Sequence, residues 1–375
     1  MKILGIETSC DETAVAVLKI KHGSFKVLAN VIASSVKLQA KYGGIVPEVA
    51  ARKQMEYIVP VIEAALKNIK SVDYIAVTTG PGLITSLRVG VEVAKTLSYV
   101  WRKPLITVNH LEGHIYSALL NNFQFSRRRQ GFGEQAIFSE GIPKDSSESL
   151  RDNFQTLKKI NFPTLALIVS GGHTQLVLMK DYLKYKIIGE TLDDAVGEAF
   201  DKVAKILGLG YPGGPIVSKL AEGGDANRIR FPRPMINSGD YNFSFSGIKT
   251  AVLYLTRDLK KKTTVKQWNN ETMYNICASF QQACIDVLVV KTIKAVKKYK
   301  VKTIILGGGV AANKKLRSDL AQSVKEKLDK VALLIPEINL TGDNALMIAL
   351  AGYYKIKEKK FSDFSQMKVE ANLRL

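Results

Sequence analysis

The chain has 375 residues, of which 46% are hydrophobic and 23% are charged, a balance that supports a buried core and excludes a mostly disordered protein. An excess of 54 Lys and Arg over 34 Asp and Glu gives a net charge of +20, which points to a polyanionic partner or an acidic membrane surface. The three cysteines have no CxxC spacing and exclude a disulfide framework. Neither a secretory signal nor an apolar run of membrane-spanning length is recognisable, so we expect a cytoplasmic protein without a membrane partner.

Two segments, 2–18 and 164–179, predict the same β-hairpin. In each, an apolar run enters a turn of Ser, Thr, Gly or Asp and leaves by a second apolar run, which is typical of two antiparallel strands. Their recurrence predicts a duplicated domain.

Strands and helices alternate along much of the remaining chain. This pattern predicts a mixed or parallel α/β sheet with helices on its faces. The predicted strands are 74–78, 105–108 and 303–306, and the predicted helices are 83–100, 110–120, 191–207, 271–300 and 311–327.

Residues 121–162 lack sustained periodicity and contain three consecutive arginines, 127–129. We interpret this segment as a solvated, variable insert, with a nucleic-acid-binding arm as the alternative. Lysine runs at 260–266, 291–302 and 355–360 could form a phosphate-binding surface or simply be solvated faces.

His110 and His114 are spaced i, i+4 on a predicted helix, so their side chains share one face and could chelate one metal ion. The glutamate of the zincin motif follows its first histidine directly, whereas Glu112 lies two positions on, which argues against a protease. By local chemistry Asp343 is the best candidate for a third ligand, although taken alone it is better explained as an N-cap of the following helix. Two histidines and one carboxylate suit Fe²⁺ or Zn²⁺.

Four turns, at 8–13, 170–173, 210–215 and 307–309, are rich in glycine or hydroxyl residues and could direct backbone N–H groups at an anion. The sequence has neither GxxxxGK[ST] nor GxGxxG, so neither a P-loop NTPase nor a dinucleotide-binding enzyme is supported. Asp194, Glu198 and Asp201 share a predicted helix face that could line a cleft, unless they only complement the helix dipole.

Nine collinear motifs together resemble the TsaD family, the bacterial tRNA N6-adenosine threonylcarbamoyltransferases. The motifs are GIETSCDET, KYGGIVPEVAAR, TTGPGLITSLRVG, NHLEGH, IVSGGHTQL, DDAVGEAFDKVAKILGLGYPGGP, FSFSGIKT, GGGVAAN and TGDNA. The resemblance implies an α/β, duplicated actin-like (sugar kinase/Hsp70/actin) fold with a nucleotide cleft between two lobes. The expected lobes are 1–120 and 163–344, with the insert 121–162 between them and a C-terminal helix at about 345–375 packing back on the first lobe.

The activity implied by this resemblance is transfer of the threonylcarbamoyl group from threonylcarbamoyl-adenylate to N6 of adenosine 37, with release of AMP. The acceptors would be tRNAs that read codons beginning with A. The implied metal ligands are His110, His114 and Asp343, and one divalent ion is expected, with Fe²⁺ preferred to Zn²⁺. The implied adenylate-binding residues are Ile168, Val169, Ser170, Gly171, Gly172, Asp201, Gly214 and Asn313.

The chemistry of the turns adds Asp11, Glu12 and His173 as candidates that accept the amine proton or orient the ligand. The resemblance further implies tRNA, an inactive paralogue called TsaB and the ATPase TsaE as partners. Two departures stand out: the insert is longer than expected, and Ser218 replaces a carboxylate that contacts the ligand in some members. Alternatives from other classes are a small-molecule kinase or ATPase of the same fold and a non-catalytic partner subunit.

Overall fold

The computed structural model describes residues 1–120, 154–261 and 270–375, together with the backbone of two short strands at 128–132 and 136–140. The chain divides into two compact units. The first unit comprises Met1–Lys159 and Pro336–Leu375, and the second comprises Ile160–Ile335. Most of the insert 121–162, and Lys262 and Lys266 of the first lysine run, lie outside the described residues.

The strands, in chain order, are β1 (Lys2–Glu7), β2 (Glu12–Lys21), β3 (Ser24–Ser34), β4 (Tyr74–Gly80), β5 (Leu105–Asn109), β6 (Arg128–Phe132), β7 (Ala136–Glu140), β8 (Gln155–Thr156), β9 (Thr164–Val169), β10 (Thr174–Asp181), β11 (Lys184–Glu190), β12 (Thr303–Gly307) and β13 (Ala332–Leu334). The α-helices are α1 (Val36–Lys41), α2 (Pro47–Leu66), α3 (Ile84–Trp101), α4 (His110–Ser117), α5 (Val196–Leu207), α6 (Gly213–Ala221), α7 (Ser246–Lys260), α8 (Asn270–Tyr299), α9 (Lys314–Lys327) and α10 (Ala345–Lys357). Short 3₁₀ helices occur at Gly309–Ala312 and Ile338–Leu340.

The two units contain sheets of the same topology. The order β3-β2-β1-β4-β5 in the first unit corresponds to β11-β10-β9-β12-β13 in the second, and β8 extends the first sheet beyond β3. In both sheets the first three strands are antiparallel and the last two run parallel to the central strand. The two predicted hairpins are therefore β1–β2 and β9–β10, and the predicted duplication is confirmed.

Each sheet packs against its own helices through its own core. In the first unit, residues of β1, β2 and β4 pack with α2 and α3, while α10 contacts the same sheet. In the second unit, α5 and α8 supply most of the helical core residues. Of the described helices, α8 alone is long and apolar enough to cross a membrane, but 83% of its apolar window is buried within the structure, as expected for a core helix.

Several predicted helices differ at their ends. The helix predicted at 191–207 begins only at Val196, because Thr191 pairs with Phe243 in an isolated bridge. Asn313 adopts an extended conformation and interrupts the segment 311–327, so that α9 begins at Lys314. The helix expected at about 345–375 ends at Lys357, and Lys359 follows with a φ of 55°.

Candidate active site

Helix α4 begins at His110 because the residue before it is a strong N-cap. The side chain of Asn109 accepts a hydrogen bond from the Leu111 N–H at 2.8 Å, and the Glu112 carboxylate accepts one from the Asn109 N–H at 3.2 Å. This reciprocal capping box fixes the first turn of the helix. Both histidines therefore have defined positions at the end of β5.

The structure brings the three predicted metal ligands together. The Nε2 atoms of His110 and His114 lie 3.4 Å and 3.3 Å from Oδ1 of Asp343. The histidine rings meet edge to face with centroids 4.6 Å apart, and the three ligand atoms lie within 4.8 Å of one another. Asp343 precedes α10, whose N-cap is Asn344. The alternative prediction, that Asp343 itself caps this helix, is therefore wrong.

These residues fit a metal ion. Two ligands about 2.0–2.1 Å from one ion, at a tetrahedral angle, lie about 3.3–3.4 Å apart, which is the spacing of each histidine nitrogen from the carboxylate oxygen. The ring of His114 is fully buried, and within the described residues neither of its nitrogens has a well-aligned hydrogen-bond partner. Buried polar atoms without such a partner are uncommon, and an ion between Nε2 and Asp343 would satisfy one of them.

The pKa values of the two histidines are shifted in opposite directions from the ordinary histidine value. Burial alone would lower the pKa of His110, but the negative charges of Asp343 and Glu7 outweigh it and raise the pKa to about 9. Burial lowers the pKa of His114 against the attraction of Asp343, and the charge of its neighbour His110 lowers it further. His114 is thus the neutral ligand, whereas a metal must displace a proton from His110.

Glu112 does not take part in this site. Its carboxylate caps Asn109 and forms a salt bridge of 2.8 Å with Lys355. A carboxylate engaged in this way is not free to activate a metal-bound water, as a zincin requires. The geometry therefore gives no support to a protease.

Asp11 lies in the β1–β2 turn of the same unit, and Glu12 is the first residue of β2. Burial and the charges of Asp11 and Asp343 raise the pKa of Glu12 well above its ordinary value. The turn is held from outside by Gln54, whose Nε2 lies 2.9 Å from the Cys10 carbonyl and 3.1 Å from the Glu12 carbonyl. Gln54 lies just after the KYGGIVPEVAAR motif, but no pattern in the sequence indicates this role.

The second unit contains a pocket of about 620 Å³ that is lined by Gly171, Asp201, Gly214 and Asn313 among others. Four of the eight predicted adenylate-binding residues are thus brought together. Asp201 is fixed at the N-terminus of α6, where its Oδ1 accepts hydrogen bonds from the N–H groups of Gly213 at 2.7 Å and Gly214 at 3.3 Å. Burial raises the pKa of Asp201 despite these bonds.

Asn313 is locked by three hydrogen bonds. Its Oδ1 accepts from the Leu316 N–H at 2.9 Å and thereby caps α9. Its Nδ2 donates to Ser218 Oγ at 2.9 Å and to Gln281 Oε1 at 2.7 Å. Ser218 and Gln281 also line the pocket, so Ser218 belongs to it even without a carboxylate.

The predicted run 168–172 is divided by the end of β9. Ile168 and Val169 are fully buried strand residues, so their side chains lie in the core. Ser170 stabilises the turn, since its Oγ accepts a hydrogen bond from the His173 N–H at 3.1 Å, and Gly171 and Gly172 are exposed. Of this run, only Gly171 lines the pocket.

Asp193 and Asp194 have connecting roles that the sequence did not indicate. Asp193 Oδ1 accepts hydrogen bonds from the N–H groups of Phe245 and Ser246, which joins the loop before α5 to the start of α7. Asp194 pairs with Lys202 at 2.6 Å and Lys249 at 2.8 Å. The two long motifs DDAVGEAFDKVAKILGLGYPGGP and FSFSGIKT are thus bound to each other.

Some lysines of the predicted basic runs are internal. Lys291 is 1% exposed and donates to Ser238 Oγ at 2.7 Å, and Lys355 pairs with Glu112. These two cannot belong to a phosphate-binding surface, because their ammonium groups are used inside the second and first units respectively. The prediction is corrected at these positions.

Comparison with known proteins identifies close relatives over the whole chain. A protein from Persephonella marina is 41% identical over 100% of this chain and 96% of its own length. One from Thermosipho africanus is 43% identical over 100% of both chains, and one from Listeria monocytogenes is 43% identical over 96% of this chain and 93% of its own. Each of them is named tRNA N6-adenosine threonylcarbamoyltransferase.

Solved structures share the fold at low sequence identity. The crystal structure of full-length HypF in its phosphate- and nucleotide-bound form has a TM-score of 0.54 and 12% identity, and the match covers 96% of this chain and 56% of HypF. The HypF of T. kodakarensis gives a TM-score of 0.56 at 13% identity, over 95% of this chain and 48% of its own. Together with the repeated sheet topology, these likenesses confirm the predicted α/β, actin-like fold class.

The sequence model of the TsaD family, described as tRNA N6-adenosine threonylcarbamoyltransferase, matches residues 26–126 and 148–350. The unmatched stretch between them falls within the predicted insert. The resemblance inferred from the nine motifs is confirmed by the match and by the relatives that share more than two-fifths of their residues. The chain belongs to the TsaD family of tRNA N6-adenosine threonylcarbamoyltransferases.

Proposed function

We propose that this protein transfers the threonylcarbamoyl group of threonylcarbamoyl-adenylate to N6 of adenosine 37 in tRNAs that read codons beginning with A. The observation that carries the proposal is the convergence of His110, His114 and Asp343 in a member of this family. In the reaction a bond forms between N6 and the carbamoyl carbon, the bond from that carbon to the phosphate oxygen breaks, and N6 loses a proton. AMP is the leaving group.

The adenylate would occupy the pocket of the second unit. Support comes from Asn313, Asp201 and Gly214 on its walls and from its volume of about 620 Å³, which suits a nucleotide-sized ligand. Asn313 cannot turn towards a ligand without giving up one of its three hydrogen bonds. We therefore propose that Asn313 positions Ser218 and Gln281. The Ser218 hydroxyl and the Gln281 side-chain NH₂ could then donate hydrogen bonds to oxygen or ring nitrogen atoms of the ligand.

His110, His114 and Asp343 would hold one divalent ion. Two histidines with one carboxylate suit Fe²⁺ or Zn²⁺, and of the two we propose Fe²⁺. When bound, the ion supplies Lewis-acid stabilisation of the negative charge that develops on the acyl group. The protein's own part is to hold the three ligands buried and correctly spaced, so that little reorganisation is needed.

Asp11, Glu12 and His173 remain the candidates for accepting the proton from N6. The raised pKa of Glu12 makes its carboxylate a stronger base than an ordinary one, and we propose it as first choice. His173 belongs to the equivalent hairpin of the second unit, and we propose for it a role in orienting the ligand.

We further propose that the protein acts in the cytoplasm, without a membrane, and together with a TsaB-like paralogue and a TsaE-like ATPase. The net charge of +20 supports a polyanionic substrate such as tRNA. We also propose that the predicted lobes, 1–120 and 163–344, are the functional divisions of the chain. The insert 121–162 would be a separate segment between them.

A direct test is to incubate the purified protein, alone and with its partners, with threonylcarbamoyl-adenylate and unmodified tRNA, and to detect the modified nucleoside by mass spectrometry. We expect modification with the wild type and at least a hundredfold less with His110→Ala, since removal of a ligand empties the site. Full activity of His110→Ala without bound metal would refute the metal assignment. Phosphorylation of a small molecule without tRNA modification would favour the kinase alternative.

A further inference from the structure

Glu7, at the end of β1, is a fully buried carboxylate that contacts His110. Its Oε2 lies 3.1 Å from Nδ1 of His110. Nδ1 is the ring nitrogen that faces away from Asp343, since Nε2 is the atom near that carboxylate. Glu7 is neither one of the three proposed metal ligands nor one of the residues proposed to accept a proton.

Two further hydrogen bonds hold this carboxylate in place. Thr78 on β4 donates a hydrogen bond to Oε2 at 2.5 Å, and the Ser9 N–H donates to Oε1 at 2.6 Å. Ser9 Oγ also lies 3.1 Å from His110 Nδ1. The carboxylate is therefore oriented by Thr78 of β4 and by the β1–β2 turn.

A carboxylate only accepts hydrogen bonds, so its partner nitrogen must carry a proton. With the proton on Nδ1, the lone pair of a neutral His110 is on Nε2, the atom that points at Asp343. Carboxylates that hold metal-binding histidines in this way also make the imidazole a stronger ligand.

We propose that Glu7 is a positioning residue of the metal site, which fixes the tautomer and the ring orientation of His110 so that Nε2 is the metal ligand. The inference rests on the proposed metal site. It predicts that loss of the Glu7 charge weakens metal binding while all three ligands remain.

The test compares cobalt(II) binding to the full-length wild type and Glu7→Gln, followed by the visible absorption of the bound ion. The amide cannot accept from both Ser9 and His110, so we expect an affinity about 10- to 100-fold lower and an altered cobalt spectrum. Thr78→Val is the matched control, because it removes a hydrogen bond from the same oxygen but leaves the carboxylate, and its loss should be clearly smaller.

The outcomes separate the inference from the site on which it rests. A wild type that binds no cobalt overturns both the metal site and the role of Glu7. A wild type that binds cobalt with the same affinity as Glu7→Gln overturns the inference alone. Equal losses in Glu7→Gln and Thr78→Val would show that the effect does not require removal of the carboxylate, and would also overturn the inference.

A second measurement needs no substitution in the core. In the zinc-loaded wild type with ¹⁵N-labelled histidine, long-range proton–nitrogen NMR spectra identify which ring nitrogen carries the proton. We expect a protonated Nδ1 and a metal-bound Nε2 for His110. Metal bound through Nδ1 would overturn the proposal.

Discussion

Among single residues, the carboxylates divide into those that face the candidate metal site and those that hold the chain together. Asp343 and Glu7 face the histidines, whereas Glu112 caps α4 and Asp193 and Asp194 connect two motifs. Sequence spacing could select the histidines, because i, i+4 positions share a helix face. It could not assign the carboxylates, because capping, pairing and catalysis all use the same side chains.

The ion pairs of Asp194 should make part of the free energy of unfolding depend on pH. Its bonds with Lys202 and Lys249 hold the pKa below the ordinary 3.8, against the effect of burial. A carboxyl whose pKa is lower in the folded state contributes stability above its unfolded pKa and loses it as the pH falls. We expect Asp194→Asn to lower the free energy of unfolding by about 1–2 kcal/mol at pH 7, and the difference from wild type to shrink below about pH 4.

Urea denaturation at pH 7, 5 and 3 measures this difference. Asp181→Asn is the control, since Asp181 is exposed and lies 3.7 Å from an exposed Lys184, and such pairs contribute little. A difference between Asp194→Asn and wild type that is the same at pH 7 and pH 3 would contradict the electrostatic explanation.

Among the elements, the position of α10 decides where Asp343 lies. This helix packs on β1 so closely that a Cβ on Gly5 would overlap the carbonyl oxygen of Ala345. A second close approach joins Gly352 of α10 to Ala76 of β4. The sequence predicts both the strand and the helix, but their separation depends on these glycines.

Gly5→Ala should therefore displace α10 from the sheet. The clash is with backbone, which cannot rotate away, so we expect a loss of about 1–3 kcal/mol in the free energy of unfolding and weaker binding of metal at His110, His114 and Asp343. Gly239→Ala is the control, because a Cβ added there would meet nothing within 4 Å. Unchanged stability and metal affinity in Gly5→Ala would show that the helix can shift freely.

For the molecule as a whole, the net charge of +20 should govern recruitment of tRNA. Basic proteins bind nucleic acid with release of counterions, so affinity falls steeply with salt. We expect tRNA binding to weaken at least tenfold between about 50 and 200 mM salt, as measured by filter binding. Binding of AMP should change much less over this range, and a tRNA affinity insensitive to salt would leave the charge without a role in binding.

The family, the two hairpins and the pair of histidines could all be predicted from the amino-acid sequence, because they depend on local order and on helix periodicity. Other features required the folded chain, since no local pattern contains them. Folding placed Glu7 behind His110, joined Asn313 to Ser218 and Gln281, and turned Lys291 and Lys355 inward. The approach of Asp343 to the two histidines, more than two hundred positions away in the chain, was implied by the family resemblance but by no local pattern. Each of these contacts depends on which helix packs against which strand. Side-chain packing throughout the unit determines that arrangement.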